Sequence, residues 1–383
     1  MRLSELETPC LVLDRGKLEK NVTAMHRRIE RLGARLRPHG KTAKSIDVMD
    51  LVLDHRSGGV TVSTLREAEY FFAGGIGDIL YAVGIAPVKL DHVADLIRRG
   101  AAMTIILDTI EQARAASLKG RERGVTFPVL IEIDCDGHRS GIGGSDPFLV
   151  DLGRFLHRED GVALRGVMTH AGGSYNCGTI EDIRRMARQE RQGALTCADA
   201  LRSAGLPCDR VSIGSTPTAT LTEDLSGITE VRPGVYMFHD LVMAGLGVCT
   251  VDDIALSVLA SVIGYQKKKG WIIIDAGWMA LSRDRGTAQQ VTDQGYGLVC
   301  DCQGSPFPDV IVTATNQEHG IVARRGGGDM DFDTLAVGSS VRILPNHACA
   351  TGAMHDRYYV VDGTDEIVAV WDRINGWEEG PQV

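Results

Sequence analysis

RVSIGSTPTATLTEDLSGITEVRPGVYMF, residues 210–238, holds two β-rich runs, at 210–215 and 230–237, with room for one short helix between them. Each run contains a glycine near its end: Gly214 in the first, Gly234 in the second. A strand, a glycine turn, a helix and another strand form the repeating unit of parallel α/β folds. Upstream the same rhythm recurs in ARLRPHG from 34, GVTVST from 59, DILYAVG from 78, MTIILD from 103, VLIEIDCDG from 129 and LRGVMTH from 164. Helical patterns fall between them, among them RGKLEKNVTAMHRRIERLG, SIDVMDLVLDH, TLREAEYFFAGG and TIEDIRRMARQERQGALTCADALRSAG. Eight strands alternating with helices predict a (β/α)8 TIM-type barrel over residues 15–240, with an open doubly wound sheet as the alternative.

After residue 245 the rhythm changes. IALSVLASVIGYQ, GWIIIDAG, DVIVTATNQEHGIVAR, SSVRILPNHACA and RYYVVDG read as strands separated by turns, and RRGGGDMDFD as a loop. These predict a C-terminal β-rich domain made of 245–383 together with 1–14, in which TPCLVLD is a further strand. A chain of 383 residues accommodates a barrel and a smaller companion.

Composition narrows the function. The formal net charge of −9 argues against a nucleic-acid footprint, and runs such as Lys267–Lys269 and Arg324–Arg325 are too short to make one. No stretch reaches the roughly 18 apolar residues of a membrane span, and MRLSELETPC is charged where a signal peptide is apolar. Nine scattered cysteines form no disulfide framework, which with the foregoing predicts a cytoplasmic protein acting on a small molecule.

Barrel enzymes place their chemistry where strands end. Lys41, in RPHGKTAKS, follows the first strand and can form a Schiff base; alone it reads equally as a surface lysine opening a helix. Gly214, Ser215 and Thr216 after the seventh strand, and Gly234, Val235 and Tyr236 after the eighth, match the place where barrels bind phosphate. A lysine and a phosphate cradle together point to pyridoxal 5′-phosphate. Arg139, in DCDGHRSGI, is then a partner for the phenolic oxygen of the cofactor, and His170, in MTHAGGSY, for its pyridine nitrogen, with Tyr175 competing for that place.

ILPNHACATGAMHDRYY, residues 343–359, reads as a strand, on which His347 and Cys349 would share a face and a metal ion. Two ligands do not close a structural zinc site, so a metal here would keep open positions for chemistry; the alternative is an ordinary core histidine and thiol.

Taken together TPCLVLD, RPHGKTAKS, EIDCDGHRSGIG, SIGSTPT, VRPGVYMF, NQEHG and LPNHACATGAMHD resemble the fold type III pyridoxal-phosphate enzymes related to alanine racemase, in the branch of the D-threonine aldolases and eukaryotic-type D-serine dehydratases. The resemblance implies that Lys41 carries the cofactor and that His347 and Cys349 bind a divalent metal, zinc foremost, with manganese, cobalt or magnesium as alternatives. It also implies a homodimer. Aldolase members typically show His-x-Asp at this place, so Cys349 favours dehydration of a β-hydroxy D-amino acid, such as D-serine or D-threo-3-hydroxyaspartate, to a 2-oxo acid and ammonia. An aldolase giving glycine and an aldehyde, an amino-acid racemase and a cofactor-binding regulatory protein are the rival readings. For a second substrate carboxylate Arg283 and Arg285 are candidates, and Gln317 or His319 would lie near the substrate.

Overall fold

Eight parallel strands are hydrogen-bonded in the order of the chain: Arg35–Leu36, Val60–Val62, Asp78–Gly84, Ala102–Leu107, Phe127–Asp134, Val162–Thr169, Arg210–Ile213 and Glu230–Val231. The last pairs with the first, Glu230 opposite Arg35 and Val231 opposite Leu36. Between first and second strands, Gly40 N–H donates to Thr61 O (2.8 Å) and Thr61 N–H to Pro38 O (2.9 Å). The result is a TIM-barrel-like parallel sheet, at the places where the β-rich runs stand in the sequence. The computed structural model describes residues 1–53 and 59–377; the last two residues of SIDVMDLVLDH and the chain from 378 lie outside them.

The sequence makes these elements for local reasons. Ring strands are buried on both faces, so they read as near-continuous apolar runs such as Ile79–Tyr81 and Val129–Ile131. Helices begin on hydroxyl caps: Thr64, Thr109, Thr179 and Ser215 each accept from the backbone N–H three residues on. Gly166, in the sixth strand, is held at φ +145, and a Cβ there would lie 1.9 Å from Arg210 O on the seventh; only glycine permits this approach. Buried charges tie the first and last strands together, since Arg37 Nε donates to Glu230 (2.8 Å) and its terminal nitrogens to both oxygens of Asp78 (3.1 and 2.7 Å).

The chain divides into two compact units, one comprising Met1–Ala24 and Val235–Asn375, the other built on Met25–Gly234. In the first, Leu256–Gln266, Trp271–Ile274, Gly320–Arg324, Pro306–Thr315, Leu298–Cys300 and Ser340–Leu344 pair antiparallel in that order, and Ser340–Leu344 returns to Leu256–Gln266. Six strands thus close an antiparallel barrel. Cys10–Asp14 lies antiparallel to Leu256–Gln266 and parallel to Arg357–Val361, and Ile367–Asp372 adds the edge.

One expected strand ends early. The sheet stops at Leu344, and residues 348–352 are a short helix with His347 at its N-cap, so the pair at 347 and 349 does not lie on strand geometry. Pro345 lacks the N–H a further ladder bond needs. Asp240 Oδ2 accepts the Ala348 N–H at 3.0 Å, and Thr351 N–H closes the turn on His347 O. Among the described residues no helix is long and apolar enough to cross a membrane.

Candidate active site

In the barrel unit, Lys41, Arg139, His170, Tyr175, Gly214–Thr216 and Gly234 all follow the C-termini of their strands, at one end of the ring. Lys41 follows the His39–Gly40 segment; its side chain is exposed and makes no ion pair among the described residues. His170 directly follows the sixth strand, and its Nδ1 lies 2.9 Å from Gly214 O, across from the seventh. A carbonyl only accepts, so Nδ1 carries the proton and Nε2 keeps its lone pair. Burial holds this imidazole at about 3, helped by the charges of Lys41, Arg232 and Arg139, while the bond to Gly214 opposes the shift. His170 is therefore a neutral acceptor at any physiological pH.

His39, not singled out from the sequence, is pushed well below the usual histidine range by burial and then by Lys41, Arg232 and His170. Tyr175 stands with its ring 6.3 Å from that of His170, centre to centre. Arg139 is mostly exposed and lies 3.6 Å from Glu132, whose carboxyl is pushed up by burial. Its charge reaches both His170 and Glu132.

The loop after the seventh strand is built for close approach. Gly214 has φ +128, and a Cβ there would lie 2.7 Å from Arg232 N. Ser215 caps the helix Thr216–Leu221, its hydroxyl accepting from Thr218 N–H (3.2 Å) and lying 2.8 Å from that of Ser174. Gly234 faces His39 and Thr42 across a gap that a Cβ would close to about 3.0 Å. Buried hydroxyls, an unblocked glycine and an exposed lysine around a neutral histidine fit a phosphorylated, aldehyde-bearing pyridine. Val235 and Tyr236 belong to the other unit; both are buried, and Val235 O accepts from His239 N–H at 2.7 Å.

In the C-terminal unit, His347 Nδ1 lies 2.7 Å from Asp284 Oδ2. Burial opposes a charge on this imidazole, but Asp284, Cys349 and Asp240 outweigh it and push the group up to about 11. The Cys349 side chain is hydrogen-bonded to the same ring, so helix geometry joins the pair that strand alternation was expected to join. Among the described residues no group of three His, Cys, Asp or Glu side chains could hold a metal. A two-ligand pair with a carboxylate behind the histidine fits an open site for a divalent ion.

Asp240 is the hub beneath this pair. It is fully buried, caps the helix Leu241–Gly245 through Met243 N–H (3.0 Å), and caps the Cys349 turn through Ala348 N–H. Burial raises its carboxyl to about 6. Arg285 is engaged by Asp293 at 2.6 Å, whereas exposed Arg283 stacks over Trp278 at 4.4 Å. Gln317 and His319 are exposed; their loop is held by Trp278 N–H to Asn316 O and Met279 N–H to Gln317 O. Asp284, Asp240, His39 and Glu190 were not found from sequence. Only Glu190 carried a signal, a charge in the apolar stripe of its helix.

Comparison with known proteins identifies the family. The family described as "Alanine racemase, N-terminal domain" matches residues 13–241, and "Putative serine dehydratase domain" matches 255–361. The chain is 52% identical to D-threo-3-hydroxyaspartate dehydratase of Delftia sp. (strain HT23), over 98% of this chain and 99% of that one. It is 31% identical to D-serine dehydratase of Dictyostelium discoideum, covering 96% of each. A solved structure of a D-threo-3-hydroxyaspartate dehydratase variant in the metal-free form superposes with a TM-score of 0.96 at 50% identity, covering 98% of this chain and 100% of that one. The chain belongs to the alanine racemase-like, fold type III pyridoxal-phosphate enzymes, among relatives that are D-serine and D-threo-3-hydroxyaspartate dehydratases.

Proposed function

We propose that this protein is a pyridoxal-phosphate- and metal-dependent dehydratase of β-hydroxy D-amino acids, D-threo-3-hydroxyaspartate foremost and D-serine next, releasing a 2-oxo acid and ammonia. Pyridoxal 5′-phosphate would supply an electron sink that acidifies the substrate α-proton, and a divalent metal a Lewis acid that eases departure of the β-hydroxyl. Lys41 would hold the cofactor and, once freed, take the α-proton on Nζ. The hydroxyls of Ser215 and Thr216, with the close approach that Gly214 permits and with Gly234, Val235 and Tyr236, would receive the phosphate. Neutral His170 would offer Nε2 to the ring nitrogen, with Tyr175 beside it, and Arg139 would serve the phenolic oxygen. His347 and Cys349 would hold the metal, zinc foremost.

The observation that carries the reading is His347 held by Asp284 with Cys349 on the same ring, because hydroxide is a poor leaving group and an open ligand pair is what its departure calls for. The reading extends to a complete (β/α)8 barrel of residues 15–240 with 1–14 and 245–383 as the metal-bearing domain, and to a homodimer, on the likeness to the family. Nine free cysteines support a cytoplasmic location.

Lys41→Ala tests the cofactor half. The variant should lose the visible absorbance of the protein-bound cofactor and lower turnover of D-threo-3-hydroxyaspartate by about 10²–10⁴-fold. Retention of both would remove Lys41, and with it the reaction as drawn.

A further inference from the structure

Glu190 lies mid-way along the helix Ile180–Ser203 and is fully buried, yet it has no part in the chemistry above. Its carboxylate is where two loops meet. Oε1 accepts from the backbone N–H of Ala171 at 2.9 Å and of Gly214 at 3.0 Å, and Oε2 accepts from the Thr218 hydroxyl at 2.7 Å. Ala171 is the residue after His170. Gly214 opens the loop whose Ser215 N–H donates to Thr218 Oγ1 (3.1 Å), and its carbonyl is the one that holds the His170 ring. The loop that meets the cofactor ring and the loop that meets its phosphate are thus fastened to one side chain.

Electrostatics alone would not place a carboxylate there. Near a bound phosphate it is repulsive, it uses the Gly214 N–H that a phosphate could otherwise take, and burial opposes its charge. Three donors and the neighbouring charge of Arg232 offset this only in part, and the carboxyl stays above its usual range. What such an arrangement gains is geometry, since a satisfied buried network fixes its members in a single arrangement.

We propose that Glu190 is the positioning residue that sets the separation between His170 and the Gly214–Thr216 loop, and thereby the selectivity of the site for a phosphorylated pyridine cofactor. The proposal rests on the cofactor reading above.

The test is equilibrium binding of pyridoxal 5′-phosphate and of pyridoxal, which lacks the phosphate, to the full-length protein freed of cofactor. The quantity compared between variants is the ratio of the two dissociation constants. Glu190→Ala should shrink the preference for the phosphorylated form by at least about tenfold, because hydrogen bonds to a buried charged acceptor are lost together. Glu190→Gln should restore most of it, since its Oε1 can keep both backbone donors and its amide can donate to Thr218 Oγ1. Equal weakening of both ligands in Glu190→Ala, with the ratio unchanged, would mean a merely structural role and overturn the proposal. Should Glu190→Ala fail to fold, Thr218→Val removes the Oε2 contact alone: a ratio lowered about threefold or more supports the proposal, and an unchanged one overturns it. A wild-type protein that binds the two forms equally is a different failure, that of the cofactor reading itself.

Discussion

A histidine that ligates a metal through one ring nitrogen must place the proton of the other, and in the proposed site Asp284, 2.7 Å from Nδ1, would do this for His347. Asp284 is itself steadied by Gly286 N–H (2.8 Å) and by Ser282, a non-glycine residue at φ +70 whose hydroxyl accepts the Asp284 N–H. Asp284→Asn keeps the size and loses the charge, so zinc affinity, measured by competition with a chelator, should fall about 10–100-fold. An unchanged affinity would show that the carboxylate does not support the ligand. A second single-residue effect belongs to His239, at φ +50, whose Nδ1 has no hydrogen-bond partner among the described residues. Burial lowers this imidazole from 6.5 to about 4, so the unfolded chain binds a proton that the folded one refuses. The stability it contributes is present above pH 6.5 and is lost as pH falls toward 4. His239→Asn, which tolerates the same backbone, should therefore remove roughly 2 kcal/mol of the stability loss between pH 8 and pH 5, read from denaturant midpoints. A variant whose stability falls as steeply as the wild type over that window would contradict the assignment. Neither residue is legible in the sequence: Asp284 stands between two arginines that read as partners for a second substrate carboxylate, and Arg285 is in fact paired with Asp293.

At the scale of elements, the ring strands were legible because parallel strands buried on both faces must be apolar throughout, and the helices between them break that run at regular intervals. The catalytic ends followed from the order of the strands, since in a parallel ring every C-terminus lies on one side. The turn bearing His347 and Cys349 was not legible as a turn. Pro345 and Asn346 after SVRIL end the strand, but what turns the next residues into a helix is Asp240, a carboxylate some hundred residues away in sequence that caps Ala348. Leu298–Cys300 and Ile367–Asp372 were missed as strands, the first because three residues carry no periodicity. Glu190 could have been found. Ile183, Ala187, Ala194, Cys197 and Leu201 mark the buried face of its helix, and Glu190 falls on that stripe at helical spacing, where a charge needs partners.

For the whole molecule, each unit carries one half of the proposed chemistry. The barrel unit brings together Lys41, His170 and the Gly214 loop, and the C-terminal unit brings together His347, Cys349 and Asp284. Sequence reads both halves as candidates because their residues stand in short local motifs; the groups that support them, Glu190, Asp240 and Asp284, come from distant segments, and of these only Glu190 leaves a trace in the sequence. In the proposed reaction the metal-ligand half turns a shared cofactor chemistry toward loss of hydroxide. This is decided by the product balance from D-threo-3-hydroxyaspartate, with ammonia, 2-oxo acid and glycine quantified together on protein loaded with pyridoxal 5′-phosphate and zinc, before and after chelation. Ammonia and 2-oxo acid in equal amounts, lost on chelation and restored by zinc, is the predicted result. Glycine without ammonia, or ammonia release indifferent to the chelator, would contradict it.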